Sequence, residues 1–173
     1  MSSINRIKNQ LFARLAAHVP ALAQRFVDGY QARQSSGEIP WSAPSKPLSA
    51  SKLALVTTSG IHQGDQQPFN MLDKNGDPSY RRLDGETLFD DFQITHDYYD
   101  YSDAKKDPNI IFPLDRLGEL VREGFIGTLA KSHYSFMGHI DGAHIDTLMN
   151  TTAKEVAKQL KEDGVDLVLL TPA

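Results

Sequence analysis

The 173-residue chain contains no cysteine. Disulfide bonds, thiolate metal sites and a cysteine nucleophile are therefore excluded within these residues. The chain also lacks any run of about 18 apolar residues, the length that a membrane-spanning helix needs. Its first 19 residues are amphipathic, but Arg6, Lys8 and Arg14 interrupt the unbroken apolar stretch of a signal peptide. We therefore expect a cytoplasmic protein with no membrane partner.

Clustered positive charge is lacking as well. The formal net charge is −4, and the densest basic cluster is the pair Arg81 and Arg82. Nucleic-acid binding requires a larger basic patch, so we expect no nucleic-acid partner. No glycine-rich phosphate loop has the spacing of a dinucleotide or nucleoside triphosphate site. The 40% hydrophobic and 23% charged residues are ordinary for a globular domain.

The chain divides into three parts. Residues 1–34 have apolar side chains at spacings of three and four, which predicts one helix to about Val19 and a second from Pro20 to Gln34. Residues 35–51 are rich in proline and serine and form a linker or surface arm, with Trp41 packed against the core as its anchor. We expect residues 52–173 to form an α/β domain that is incomplete at its carboxyl end.

Apolar segments and helical patterns alternate within this domain. Residues 53–58 and 92–95 are predicted strands, and helices are predicted to begin at Pro113 and near Thr152. Residues 166–170 form a continuous apolar run that predicts a central strand. This order indicates a three-layer α/β fold with a mostly parallel sheet and flanking helices. Ligands of such folds bind beyond the carboxyl ends of the strands, and we expect the sequence to be truncated after the last, central strand.

Polar residues follow two of the predicted strands. Ser59, Gly60 and His62 come after the first strand, and His96 and Asp97 come after the second. The carboxyl ends of parallel strands meet at one edge, so these side chains should approach a common cleft. A histidine with a pKa of about 6.5 can transfer protons at neutral pH, and a carboxylate can orient it. Alternatively, each histidine hydrogen-bonds local backbone as a cap of its strand.

Two further segments carry candidate residues. Residues 132–139 predict a tightly packed loop, in which Gly138 permits a close backbone approach and His133 either faces substrate or packs in the core. Its histidines lack helical zinc spacing, so we expect no metal site. The tyrosines and aspartates of residues 97–103 either bind a cation such as an ammonium group or form a solvated loop.

Residues from about Leu53 to Ala173 resemble the selenoprotein B family of glycine, betaine, sarcosine and D-proline reductases. The resemblance lies in segments that occur in the family's order, at residues 56–62, 96–99, 109–117, 124–127, 133–138 and 166–173. Two motifs are fairly specific: Phe112-Pro113-Leu114-Asp115-Arg116-Leu117 and His133-Tyr134-Ser135-Phe136-Met137-Gly138.

The resemblance implies reductive C–N cleavage of a small amine or amino acid. A selenocysteine or cysteine attacks the carbon beside the amine, and other reductase subunits with a thiol or thioredoxin-type donor supply electrons. The family's Sec/Cys-x-x-Cys pair would begin directly after Ala173, so this chain itself carries no cofactor and is expected to be inactive alone. On chemical grounds, the expected catalytic residues beside this nucleophile are His62, His96, Asp97 and His133, and the expected substrate-binding residues are Ser59, Gly60, Tyr98 and Tyr134.

Three functions remain open from the sequence. The first is the amino-terminal part of such a reductase subunit. The second is a non-catalytic accessory or small-molecule-binding protein that uses the same cleft. The third is a metal-dependent enzyme built from histidines and carboxylates. A homo-oligomer is compatible with each.

Overall fold

The computed structural model describes residues 3–29, 42–87 and 91–173. The two predicted amino-terminal helices are present as α1 (Ser3–His18) and α2 (Pro20–Asp28), with Pro20 in the first turn of α2. The predicted end of the second helix at Gln34 and the anchor Trp41 lie outside the described residues. The described end of the proline-rich arm closes with a 3₁₀ turn at Leu48–Ala50.

The remaining elements follow the arm in chain order. The strands are β1 (Lys52–Thr57), β2 (Ile61–Gln63), β3 (Tyr80–Asp84), β4 (Phe92–Ile94), β5 (Thr128–Leu129), β6 (Ser132–Phe136) and β7 (Leu167–Thr171). The helices are α3 (Leu114–Arg122), α4 (His144–Thr147) and α5 (Ala153–Glu162), and a π-helical turn at Leu148–Thr152 joins α4 to α5. A 3₁₀ turn at Pro108–Ile110 precedes α3.

Strand β1 lies at the centre of the main sheet. All its partners on the two sides are parallel to it. Strand β7 pairs along one side of β1, and on the other side β5 pairs with the beginning of β1 and β6 with its end. Strand β3 pairs antiparallel with β6 at the far edge. Strands β2 and β4 form a separate antiparallel ribbon. The predicted fold class, a mostly parallel sheet with flanking helices, is confirmed.

The two faces of β1 pack against different helices, which gives the fold its three layers. Leu53 and Leu55 face a core that contains Leu117 of α3. Ala54 faces the opposite core, which contains Val156 and Leu160 of α5. The alternation follows from the two-residue period of a strand, and the absence of polar residues at positions 53–56 reflects burial on both faces.

The structure corrects three sequence predictions. The strand at 92–95 belongs to the β2–β4 ribbon, because its alternating exposure suits a two-stranded ribbon better than a parallel core. Residues 132–136 form the buried strand β6, where a loop was predicted. Strand β7 pairs with β1 alone among the described strands, so it lies at the edge of the sheet and not at its centre.

The edge position of β7 leaves apolar side chains in contact with solvent. Val168 and Leu169 are partly exposed, and Leu170 is 70% exposed. An edge strand also presents unpaired backbone groups that can pair with another chain.

Among the described helices, none is long and apolar enough to cross a membrane.

We expect the chain to associate through β7 at high concentration. Leu170→Lys should shift the equilibrium towards monomer, because a charge on an edge strand opposes pairing. Sedimentation velocity at several concentrations measures the shift. Phe125→Lys is the matched control, since Phe125 is similarly exposed but precedes β5 at the opposite end of the sheet. Equal association of both variants and the parent chain would contradict this expectation.

Candidate functional site

The carboxyl ends of β1 and β7 are joined by backbone and hydroxyl groups. The Thr57 and Thr171 hydroxyls both donate to the carbonyl of Ile111, at 3.0 and 2.9 Å. The amide of Thr58 donates to the Thr171 carbonyl at 3.1 Å, and the amide of Ala173 donates to the Thr58 hydroxyl at 3.3 Å. These bonds hold Ala173 beside the end of β1.

Ser59 and Gly60 connect this edge to the β2–β4 ribbon. The Tyr99 hydroxyl donates to the Ser59 carbonyl at 2.9 Å, and the Gly60 carbonyl accepts from the amide of Thr95 at 2.9 Å. Gly60 has φ +70°, and a Cβ there would lie 2.5 Å from the Thr95 carbonyl oxygen. Ser59 and Gly60, two of the predicted substrate-binding residues, therefore have structural contacts. The close approach at Gly60 brings His96 to the sheet edge.

His96 is buried at this edge, with only 3% of its surface exposed. Its Nδ1 accepts a hydrogen bond from the amide of Tyr98 at 3.1 Å, and the Tyr99 ring packs at 4.7 Å between centroids. Burial lowers the pKa of His96 to about 4. The charge of His139 lowers this pKa further, whereas the negative charge of Asp97 raises it. The ring is therefore neutral at pH 7, and its proton is on Nε2 because Nδ1 is the acceptor.

The Nε2 atom of His96 is buried and has no hydrogen-bond partner. A Cβ on Gly138 would lie 3.2 Å from this atom, 3.2 Å from the Ala173 carbonyl oxygen and 3.0 Å from the Thr58 carbonyl oxygen. His96, Thr58 and Ala173 thus converge on the space that a side chain at residue 138 would fill. The close approach that the sequence predicted for Gly138 occurs here.

Asp97, adjacent to His96, is used to hold helix α1. Its carboxylate accepts from Arg6 Nε at 2.7 Å, Arg6 Nη2 at 3.2 Å and Gln10 Nε2 at 2.7 Å. Only 1% of the Asp97 side chain is exposed. The hydrogen bond to Asp97 raises the pKa of Arg6 above its usual value. Asp97 contacts α1 with both oxygens, an arrangement that suits anchoring of the helix.

His62 joins the two strands of the ribbon. Its Nδ1 donates to the Gln63 carbonyl at 2.9 Å, and its Nε2 accepts from the Thr95 hydroxyl at 2.9 Å. The ring is buried and packs edge-on against Phe69. Since both ring nitrogens are occupied, His62 has the contacts expected of a residue that supports the ribbon.

His133 lies within the sheet, below its carboxyl edge. Because Tyr134 pairs with Val56 in the β1–β6 register, His133 is level with Leu55. Its Nδ1 accepts from the amide of Leu55 at 2.9 Å, so an imidazole replaces a backbone carbonyl as the partner of β1. Burial lowers the pKa of His133 to about 4. Its Nε2 lies 2.9 Å from the position that a Cβ of Gly85 would occupy and, like Nε2 of His96, has no hydrogen-bond partner.

The predicted substrate-binding tyrosines differ in position. Tyr134 is fully buried in the core beside α5, and its hydroxyl donates to Gln159 at 3.2 Å. Tyr98 is partly buried near the edge and stacks on His139 at 4.0 Å. The structure therefore brings His96, Ser59, Gly60 and Tyr98 to the edge that contains Ala173, whereas His133 and Tyr134 lie deeper in the sheet.

The acidic tyrosine loop contacts its own neighbours. Lys105 Nζ lies 4.8 Å from the centre of the Tyr101 ring, so a lysine already occupies this face. A cavity of about 140 Å³ separates the loop from α1, lined by Gln10, Arg14, Tyr99, Asp100, Tyr101, Ser102 and Lys105. In the described ranges, no three histidine or acidic side chains are grouped in a way that could hold a metal ion.

Sequence reasoning missed two groups at this edge. The Thr58 hydroxyl and the Tyr99 hydroxyl both bind backbone there. Thr58 was assigned no role, and Tyr99 was considered only as a cation-binding or solvated tyrosine of the 97–103 loop. Thr58 had a usable signal, since it follows the last residue of a buried strand. Tyr99 had none, because its partner Ser59 is 40 residues away in the sequence.

Comparison with known protein families shows the family to which this chain belongs. The model of the glycine/sarcosine/betaine reductase selenoprotein B family matches residues 22–173. The chain therefore belongs to the glycine/sarcosine/betaine reductase selenoprotein B family. No solved structure matches the chain.

Individual relatives are similar over most of this chain. It is 40% identical over 131 residues to D-proline reductase subunit gamma of Acetoanaerobium sticklandii, an alignment that covers 76% of this chain and 52% of the relative. It is 34% identical over 140 residues to glycine reductase complex component B subunit gamma of Symbiobacterium thermophilum, which covers 79% of this chain and 32% of that relative. It is 32% identical over 145 residues to betaine reductase complex component B subunit beta of Peptoclostridium acidaminophilum, which covers 79% of this chain and 31% of that relative. The aligned part of this chain thus spans about half of the first relative and a third of the others.

The contact between Asp97 and α1 generates a stability prediction. Asp97→Asn removes the buried charge that binds Arg6, and we expect unfolding free energy to fall by about 1–3 kcal/mol. Trypsin should also cleave within α1 faster. Asp103→Asn is the control, because the Asp103–Lys106 pair is about three-quarters exposed on both sides and solvent screening should make its contribution to stability much smaller. Equal effects of the two variants would show that Asp97 does not anchor α1.

The buried histidines generate a prediction for pH. His96 and His133 have folded-state pKa values of about 4, below the usual 6.5. Between these values the unfolded chain binds more protons, so stability should fall as the pH falls from about 6.5 towards 4. By pH 5 the loss should be on the order of 2 kcal/mol for each histidine.

Urea denaturation at pH 7 and pH 5 measures this loss. His133→Asn keeps an acceptor for the Leu55 amide but does not titrate, so it should remove about half of the pH dependence. Unfolding free energies that are equal at the two pH values in the parent chain would contradict the burial of neutral histidines.

Proposed function

We propose that this chain is the amino-terminal part of a reductase subunit that cleaves a C–N bond of a small amine or amino acid, with its redox nucleophile directly after Ala173. The observation that carries the proposal is the position of Ala173. It lies at the carboxyl edge of a parallel sheet, beside an unpartnered buried nitrogen of His96. Family membership supports the reaction class, since the relatives carry the names of glycine, betaine and D-proline reductase subunits.

The proposed chemistry needs a group that these 173 residues do not contain. A selenolate or thiolate attacks the carbon that bears the amine, a C–Se or C–S bond forms, and the C–N electron pair leaves with the amine, which takes up a proton. A thiol then attacks the selenium or sulfur, and the carbon fragment leaves with a proton. The resulting mixed bond is reduced by a dithiol donor. The chain has no cysteine, so the proposal requires the following residues to supply selenocysteine or cysteine.

Partner subunits complete this proposal. The relatives are named as subunits or components of reductase complexes, which supports assembly with other subunits. We propose that these partners, with a thioredoxin-type thiol, deliver electrons to the nucleophile. The buried contacts of Asp97 and His62 support structural roles for both residues, and His96 is the candidate that contacts the reacting group.

The alternative is an accessory or small-molecule-binding protein of the same family. The absence of any cysteine favours it, because no other side chain here performs reversible two-electron thiol chemistry. In that case Ala173 and His96 would form a closed structural edge without a reacting group.

The gene beyond codon 173 distinguishes the two functions. The reductase proposal predicts an in-frame UGA or cysteine codon, two further codons and then a cysteine codon. The protein read through this codon with cysteine should release product from D-proline, glycine, sarcosine or betaine with a dithiol donor and its partner subunits. The same protein with serine at that position, and the 173-residue chain alone, should release none. An ordinary stop codon with no continuing frame would favour the accessory function.

A further inference from the structure

The free nitrogen at the sheet edge is a hydrogen-bond donor. Nδ1 of His96 accepts from the amide of Tyr98, which leaves the proton of the neutral ring on Nε2. The Tyr98 and Tyr99 rings contact the imidazole edge-on and restrict its rotation. A buried N–H without an acceptor is destabilising, so native structures rarely leave one unless a ligand or a functional group completes it.

Gly138 leaves open the space next to this donor. Its absent side chain leaves a space bordered by His96 Nε2 and the Ala173 carbonyl, both 3.2 Å from the Cβ position. Ala173 is held there by the hydrogen bond that its amide donates to Thr58 Oγ1. The residue that follows Ala173 would therefore begin beside this donor.

We propose that His96 Nε2–H is a fixed hydrogen-bond donor to the selenolate or thiolate beside Ala173, and that His96 is not a general base. This inference rests on the proposed function, because it takes the nucleophile of that function as the acceptor. A donor to the anion stabilises it relative to the protonated form, which increases the reactive fraction at neutral pH.

The charges around His96 agree with a neutral donor. Asp97 is turned towards Arg6 and Gln10, so its carboxylate does not receive a hydrogen bond from the ring. His139 lies beyond Tyr98, on which it stacks, and disfavours a positive charge on His96. A neutral imidazole that loses its Nε2 proton would become an imidazolate, so His96 keeps that proton during the reaction. The proton for the departing amine therefore comes from a group other than His96.

Adding a single cysteine after Ala173 tests the donor directly, because it puts a thiol at the position of the proposed nucleophile and the chain has no other thiol. The rate of alkylation by iodoacetamide as a function of pH gives the pKa of this thiol. With His96 present we expect a value below the usual 8.5 or so. His96→Phe in the same background removes the donor and should raise the pKa by about one unit, with alkylation at pH 7 roughly tenfold slower. The terminal carboxylate is present in both proteins, so its effect cancels.

His96→Gln is the matched variant, since its side-chain N–H₂ can replace the Nε2–H donor. It should restore most of the lowered pKa, which a purely structural role of His96 would not explain. Circular dichroism establishes that each variant is folded. Identical pH profiles in the His, Gln and Phe proteins would overturn the proposal, as would an added titration near pH 6.5 that disappears with His96. The assay uses no substrate or partner subunit, so a negative result would not contradict the proposed function. Conversely, an ordinary stop codon after Ala173 would contradict the proposed function without affecting the measured thiol pKa.

Discussion

The parallel pairing of β1 with β7 is the constraint from which the site geometry follows. Five residue pairs from Leu53–Leu167 to Thr57–Thr171 set the register. Because parallel strands end at the same edge, this register places Thr58 and Ala173 side by side. The hydroxyls of Thr57 and Thr171 then share the Ile111 carbonyl, which holds the loop before α3 against both strand ends. A shift of β7 by one residue would reverse its faces and move Ala173 away from His96.

The same residue type has different roles here because the surroundings of each imidazole differ. His62 has partners on both nitrogens, and His133 substitutes for a backbone carbonyl in the sheet. His96 has one nitrogen fixed by backbone and the other facing Gly138 and Ala173. Burial keeps His96 and His133 neutral, so a proton shuttle near pH 6.5, which the sequence suggested, does not fit either ring.

Residue patterns predicted the fold class and the positions of β1, α3, α5 and β7, because buried strands and amphipathic helices have distinct periodicities. Strand β6 escaped prediction since its serine and histidine positions resemble a loop, and its burial depends on contacts with Leu55 and Arg82. The edge position of β7 depends on what pairs beside it, which a local apolar run does not specify.

Within the site, the sequence predicted the position of His96 at the strand edge and the close approach at Gly138, but not the contact of Asp97 with α1. The Asp97–Arg6 contact joins residues 91 positions apart, and local spacing contains no information on such a pair. The register of β6 likewise decided that His133 lies inside the sheet. These outcomes share one cause, which is that a side chain's role depends on tertiary neighbours.

The central claim is that His96 is a neutral imidazole with its proton on Nε2 at the sheet edge. Long-range ¹H–¹⁵N correlation spectra of the imidazole rings, assigned with His96→Gln, report the protonated nitrogen directly. The account predicts the Nε2–H tautomer of His96 at pH 7, with unchanged shifts down to about pH 5. A ring protonated on Nδ1, or one that titrates near pH 6.5, would contradict it.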